Sequence, residues 1–137
     1  MKHPPAVFTL MSPECLTRVR AELRDQLAQW GRSDLSEDSL LVVSELVSNA
    51  FGHGRAPVRL SLTLQDQGGG QVLRIQVTDT GSGFDAELVR ARWRHPSFRL
   101  GTRGRGLLLV DALCARWGER DDRTGHTVWC DLSRAGT

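Results

Sequence analysis

The hydrophobic pattern changes period along this chain, and that change constrains its fold more than any other feature. Leu16, Val19, Leu23, Leu27 and Trp30 recur at helical spacing, which predicts a first helix over about Glu14–Trp30 with Gly31 to stop it. Leu40, Val43, Leu46, Val47, Ala50 and Phe51 repeat the pattern in a second helix reaching about Gly52. Asp34, with Glu37 three residues on, opens that helix in the manner of a capping box. The period then drops to two. Strands are predicted near Val58–Gln65 and Val72–Asp79, joined by a turn at Asp66–Gly70. A short helix near Ala86–Trp93, a loop over His95–Arg105 and a helix at about Gly106–Trp117 come next. A last hairpin pairs Arg116–Arg120 with His126–Leu132 around Asp122–Gly125, and a short strand near Val7–Leu10 precedes everything. Helices alternating with hairpins predict an α+β two-layer sandwich with a mostly antiparallel sheet, unlike the strand–helix alternation of a dinucleotide-binding fold.

No repeat, low-complexity tract or linker divides the 137 residues, so residues 1–137 are expected to form a single domain. With 39% hydrophobic and 25% charged residues the chain is neither disordered, collagen-like nor a coiled-coil rod. Its apolar runs, such as Leu40–Val43 and Leu107–Val110, fall far short of the roughly 20 residues a membrane span needs. The opening MKHPPAVFTLMSPE carries no apolar signal segment, and a cytoplasmic location is expected. Cys15, Cys114 and Cys130 form no CxxC pair, which argues against a zinc knuckle and for buried, reduced thiols.

Charge is nearly balanced at +2, and of the 18 basic residues all but Lys2 are arginine. Arg90, Arg92, Arg94, Arg99, Arg103 and Arg105 cluster between Glu87 and Asp111 with no acid among them. Such a cluster suits an anion or an acidic partner surface; the alternative is a solvated loop in an arginine-rich protein.

Three further features carry chemistry. At about 100° per residue, Glu45 and Asn49 stack one turn apart on the second helix, away from its apolar stripe, with His53 a turn beyond. Two oxygens aimed at one point suit Mg²⁺ bound to phosphates, although two polar residues on an amphipathic helix also simply face water. The segment TDTGSGFD ends an apolar strand on Asp79 and continues through Gly81 and Gly83. A carboxylate there can accept from an exocyclic amine, and the glycines let a ring approach the backbone; an ordinary capped turn has the same appearance. Gly101, Gly104 and Gly106 precede an apolar helix, whose free N–H groups and dipole make an anion site. No GK[ST] follows, so this is not a Walker A loop.

Taken in order, SELVSNAFGHG, DTGSGFD and GRGLLLVDALCARWG resemble the asparagine box and the two glycine boxes of the GHKL ATPase superfamily, which includes gyrase and the histidine kinases. The chain is most similar within it to the small bacterial anti-sigma-factor serine/threonine kinases, and the closing GHTVWCDL looks like their last strand. The resemblance implies the Bergerat fold, with helices on one face of a mixed sheet, and ATP with Mg²⁺ as ligands. It implies that Asn49 holds Mg²⁺, that Glu45 is the general base, and that Asp79 reads the adenine amino group beside Gly81 and Gly83. Gly104 and Gly106 would meet the phosphates, with Leu107 following and Arg103 and Arg105 in the lid able to clamp them. Thr127 would support Asp79 through its hydroxyl, and His53 would lie near the site or serve the fold.

The partners implied are a sigma factor and a STAS-type anti-anti-sigma protein, and such kinases commonly form homodimers. The competing reading is a non-catalytic ATP-binding switch. Direct nucleic-acid binding through the arginines lacks an aromatic platform or helix-turn-helix pattern. The lid reads RHPSFRLGTRGRG, where many relatives carry acidic or small residues. It is also too short for a gyrase-type lid, and no dimerisation helix with a phosphoacceptor histidine is expected ahead of the domain.

Overall fold

The computed structural model describes residues 3–53, 55–81, 102–123 and 125–133. A strand β1 (Ala6–Leu10) is followed by helices α1 (Leu16–Gln29) and α2 (Ser36–His53), the hairpin β2 (Val58–Gln67) and β3 (Gly70–Asp79), helix α3 (Thr102–Leu113), and the hairpin β4 (Arg116–Asp122) and β5 (Gly125–Leu132). The strands form one sheet in the order β1-β2-β3-β5-β4. Every pairing in it is antiparallel. The α+β sandwich is as expected, and the sheet, expected to be mostly antiparallel, is antiparallel throughout the described residues.

Strand alternation builds one half of the core. Leu10, Val58, Leu60, Leu62, Leu64, Leu73, Ile75, Val77, Val128, Cys130 and Leu132 all point to the same side of the sheet and are buried. Val19, Leu23 and Leu27 of α1, Val43, Leu46 and Val47 of α2, and Val110 of α3 cover them. Each such apolar side chain contributes about 1.5–3 kcal/mol on full burial. Among the described residues no helix is long and apolar enough to cross a membrane.

Local chemistry sets the element ends. The helix α1 closes where the Gly31 N–H bonds the Ala28 carbonyl at 3.0 Å and the Arg32 N–H bonds that of Leu27 at 2.8 Å, a Schellman arrangement. The start of α2 differs from expectation: Ser33–Leu35 forms one 3-10 turn, and the Asp34 carboxylate takes both Nε and Nη2 of Arg32 at 2.9 Å. The turn between β2 and β3 is tighter than expected, with Gly68 at φ 52° and Gly69 at φ 85°. Positive φ at both central residues is what a two-residue type I′ hairpin demands.

The largest boundary difference concerns α3, which spans Thr102–Leu113 rather than Gly106–Trp117. The apolar run continues to Trp117, but β5 captures its end. The Ala115 N–H donates to the Asp131 carbonyl at 2.9 Å, and Arg116 and Trp117 pair with Asp131 and Cys130. Trp117 Nε1 then donates back to Asp111 of α3 at 2.7 Å, tying helix to strand. The helix expected over Ala86–Trp93 and the first part of the loop His95–Arg105 lie outside the described residues; residues 102–105 open α3. All three cysteines are free, and the Cys114 thiol beside Cys130, together with burial, pushes the Cys130 thiol up.

Candidate functional site

Three chain segments meet at one end of the sandwich. A groove lined by Asp34, Glu37 and Asp38 on one side and Ala112 and Leu113 on the other places the start of α2 at the end of α3. These two packed helices therefore run antiparallel, and the first turn of α3 lies toward the C-terminal half of α2. The segment after α2 reaches the end of β3, where the Thr80 N–H donates to the Arg55 carbonyl at 3.2 Å. The second half of α2, the end of β3 and the start of α3 thus share one end of the molecule.

On α2, Asn49 is buried at 8% exposure, and Glu45, one turn earlier, is half-buried. This corrects the expectation that Asn49 stands clear of the core. Val42 sits about 20° around the helix from Asn49 and is fully buried, because α2 is covered by α1 and α3 as well as by the sheet. Among the described residues Asn49 Nδ2 has no hydrogen-bond partner. A buried amide left unpaired costs about 1–3 kcal/mol, so such a group points to a ligand that completes it. Rotating the carboxamide by half a turn exchanges Nδ2 for Oδ1, so the same position offers a donor to an oxyanion or an oxygen to a cation. Glu45 and Asn49 together are the hard, oxygen-bearing set that suits Mg²⁺. His53 is the last residue of α2.

Asp79 ends β3 and is buried, and its Oδ1 accepts the Gly81 N–H at 2.7 Å. That bond fixes the carboxylate and leaves Oδ2 as the oxygen available to an amine. Gly125 of β5 runs so close that a Cβ there would stand 1.9 Å from the Asp79 carbonyl oxygen, with φ at +142°. Only glycine fits. Gly83 lies outside the described residues.

Arg103, Gly104 and Arg105 lie within α3, not ahead of it as expected, together with Gly106 and Leu107. Since only the first four N–H groups of a helix lack an intrahelical carbonyl, Gly104 belongs to the free set, whereas Gly106 sits beyond it. The free N–H groups of this segment thus belong to the first turn of α3 itself rather than to a loop before it.

Thr127 lies one residue along the ladder from Asp79. It pairs with Thr78, not Asp79, and the two hydroxyls meet at 2.7 Å on the face of the sheet away from the helices. The residue opposite Asp79 is His126. It is 1% exposed, with Nδ1 2.6 Å from Asp121 Oδ1 and Nε2 3.1 Å from Glu119 Oε2. Alternation could have found it: His126 is two and four residues before Val128 and Cys130, whose apolar side chains mark the covered face.

Comparison with known proteins bears on this geometry. The histidine kinase domain of a blue-light activated histidine kinase from Erythrobacter litoralis is similar at 22% identity and a TM-score of 0.49, over 88% of this chain and 59% of that one. A longer chain of the Erythrobacter litoralis blue-light activated histidine kinase is 28% identical over 73% of this chain and 30% of that one, at a TM-score of 0.47. This chain therefore spans less than two thirds of either. Comparison with curated proteins returns no match. Residues 11–131 match the family described as the histidine kinase-like ATPase domain. With that match covering nearly the whole length, the chain belongs to the histidine kinase-like ATPase domain family.

Proposed function

We propose that this protein is a Mg-ATP-dependent protein serine/threonine kinase and anti-sigma factor, which phosphorylates a serine of a small STAS-type anti-anti-sigma protein and sequesters a sigma factor. Membership of an ATPase domain family implies ATP as ligand, usually with Mg²⁺. The observation that carries the reading to this chain is Asn49, whose buried Nδ2 has no hydrogen-bond partner among the described residues, one turn from Glu45 and at the same end of the molecule as the start of α3 and the end of β3.

The roles follow from position. Asn49 would hold Mg²⁺, which when bound offsets the charge of the triphosphate. The free N–H groups opening α3, that of Gly104 among them, bind the phosphates, with the helix dipole behind them. Asp79 accepts from the adenine amino group through Oδ2, because Oδ1 is already held by Gly81. Glu45 takes the proton of the partner's serine hydroxyl as its oxygen bonds to the γ-phosphorus and the bond to ADP breaks. Positioned proton removal of this kind is worth about 10²–10⁴-fold in rate. The rest of the catalysis is alignment and electrostatic stabilisation of the moving phosphoryl group.

The test is incubation of the chain with γ-labelled Mg-ATP and the small STAS-type proteins of the same genome. Label on a partner serine is expected. Glu45→Ala should keep ATP affinity within a few-fold and lower labelling by about 10²-fold or more. Tight ATP and partner binding without any labelling would make the protein a regulatory ATP-binding switch instead.

A further inference from the structure

Three strands carry a row of ionisable residues across the covered face of the sheet. Asp79 of β3 stands opposite His126 of β5, which stands opposite Asp121 of β4, and Glu119 joins the row diagonally. The imidazole is almost completely buried, and each of its nitrogens meets a carboxylate of β4, at 2.6 Å and 3.1 Å. Nδ1 is hydrogen-bonded to Asp121, and Nε2 stands within ion-pair distance of Glu119. Opposed residues of an antiparallel pair have Cβ atoms about 4.5–5.5 Å apart, so this ring flanks Asp79. Asp79 is then bounded twice, by the Gly81 N–H on Oδ1 and by His126 across the ladder, while Gly125 presses on its carbonyl.

We propose that His126 is a positioning residue for base recognition: anchored on Glu119 and Asp121, it confines the Asp79 carboxylate to the orientation in which Oδ2 meets a 6-amino purine. The inference rests on the reading of Asp79 as the base-selecting group. It gives the role expected of Thr127 to the residue before it, since Thr127 spends its hydroxyl on Thr78 on the other face. The His126 ring has its two nitrogens toward the carboxylates of β4. It acts by orientation, so its loss should affect a nucleotide that needs the Asp79 bond and spare one that cannot make it.

Inosine triphosphate is that probe, because its base carries a carbonyl in place of the 6-amino group, with N1 protonated, and its ribose and phosphates are those of ATP. The parent should bind ATP more tightly than inosine triphosphate by about tenfold or more, the scale of a charge-assisted hydrogen bond. His126→Ala should bring the ratio to within about threefold by weakening ATP while leaving inosine triphosphate near its parental affinity. His126→Gln, which keeps an N–H for one carboxylate, should recover part of the preference, and Thr127→Val should keep all of it. If His126→Ala does not fold, Glu119→Gln and Asp121→Asn release the ring with the core still filled, and the double variant should lower the ratio in the same direction. A merely structural role would weaken both nucleotides together and preserve the ratio; that result, or an unchanged ratio in the carboxylate variants, overturns the proposal. A parent that prefers ATP while the variants do too sinks only this inference. A parent that binds neither nucleotide sinks the reading of the site, and this inference with it.

Discussion

The two ends of strands β3, β5 and β4 each carry a row of ionisable residues. At one end, on the uncovered face, Asp131 lies between Arg74 and Arg116; at the other, on the covered face, His126 lies between Asp79 and Asp121. The first row is closed. Asp131 accepts from Arg74 Nε at 2.7 Å and Nη2 at 2.9 Å, and from Arg116 Nη2 at 2.9 Å, while the Arg74 guanidinium also covers the Trp129 ring at 4.6 Å. In the second row the acids are divided. Asp121 serves the histidine, whereas Asp79 is held through Oδ1 by the Gly81 N–H. Polar groups that satisfy one another hold strands together; polar groups that the fold buries and leaves short of partners receive a ligand. Substitutions at the first row should therefore change stability and spare binding, and those at the second should do the reverse.

The largest effect should come from a backbone contact beside the second row, which lies outside the contrast between the two rows' side chains. Gly125→Ala forces a Cβ against the Asp79 carbonyl in a backbone conformation that alanine resists, so denaturant unfolding should register a loss of about 3 kcal/mol or more. A loss below about 0.5 kcal/mol, the scale of a neutral surface change, would show that β5 stands farther from Asp79.

Asp131→Asn comes next. Removing a buried carboxylate from two arginines should cost about 1–3 kcal/mol, reduced because the Arg116 side chain is 61% exposed, and nucleotide affinity should not change. Arg74, and with it Arg116, holds the Asp131 carboxyl below its ordinary value near 3.8. A carboxylate shifted downward by folding adds stability that is complete above that ordinary value and disappears as the pH falls through the lower, folded one. The melting temperature of the parent should thus fall in that acid range, and more steeply than that of Asp131→Asn. Parallel curves would contradict a closed first row.

At the second row, Asp79→Asn should weaken ATP binding by about 1–3 kcal/mol in calorimetry with little change in unfolding. Equal affinity of the parent for ATP and GTP would deny Asp79 its role.

Much of this contrast was legible in the residues themselves. Period-two alternation located β2 and β3, helical spacing located α1 and α2, and the order of Glu45, Asn49, Asp79 and the glycines pointed to the end where they converge. What escaped depends on neighbours distant in sequence. The end of α3 was misplaced because the run LLLVDALCARW contains no local stop, and strand pairing with β5 decides it. Asn49 looked exposed because nothing in α2 announces that α3 will lie beside it. His126 was not singled out because a strand's two faces differ by one residue, and only the ladder register says which side faces the helices.

Central to the account is the claim that Asn49 is buried for a ligand and not for the fold. Calorimetric titration of ATP into the parent and into Asn49→Ala, each with and without Mg²⁺, tests it directly. The alanine removes a buried amide whose Nδ2 has no partner among the described residues, so unfolding stability should change by less than about 1 kcal/mol. The parent should bind ATP more tightly with Mg²⁺ than without it, and the variant should bind equally in both. A variant that unfolds, or that keeps the full Mg²⁺ enhancement, would contradict the account.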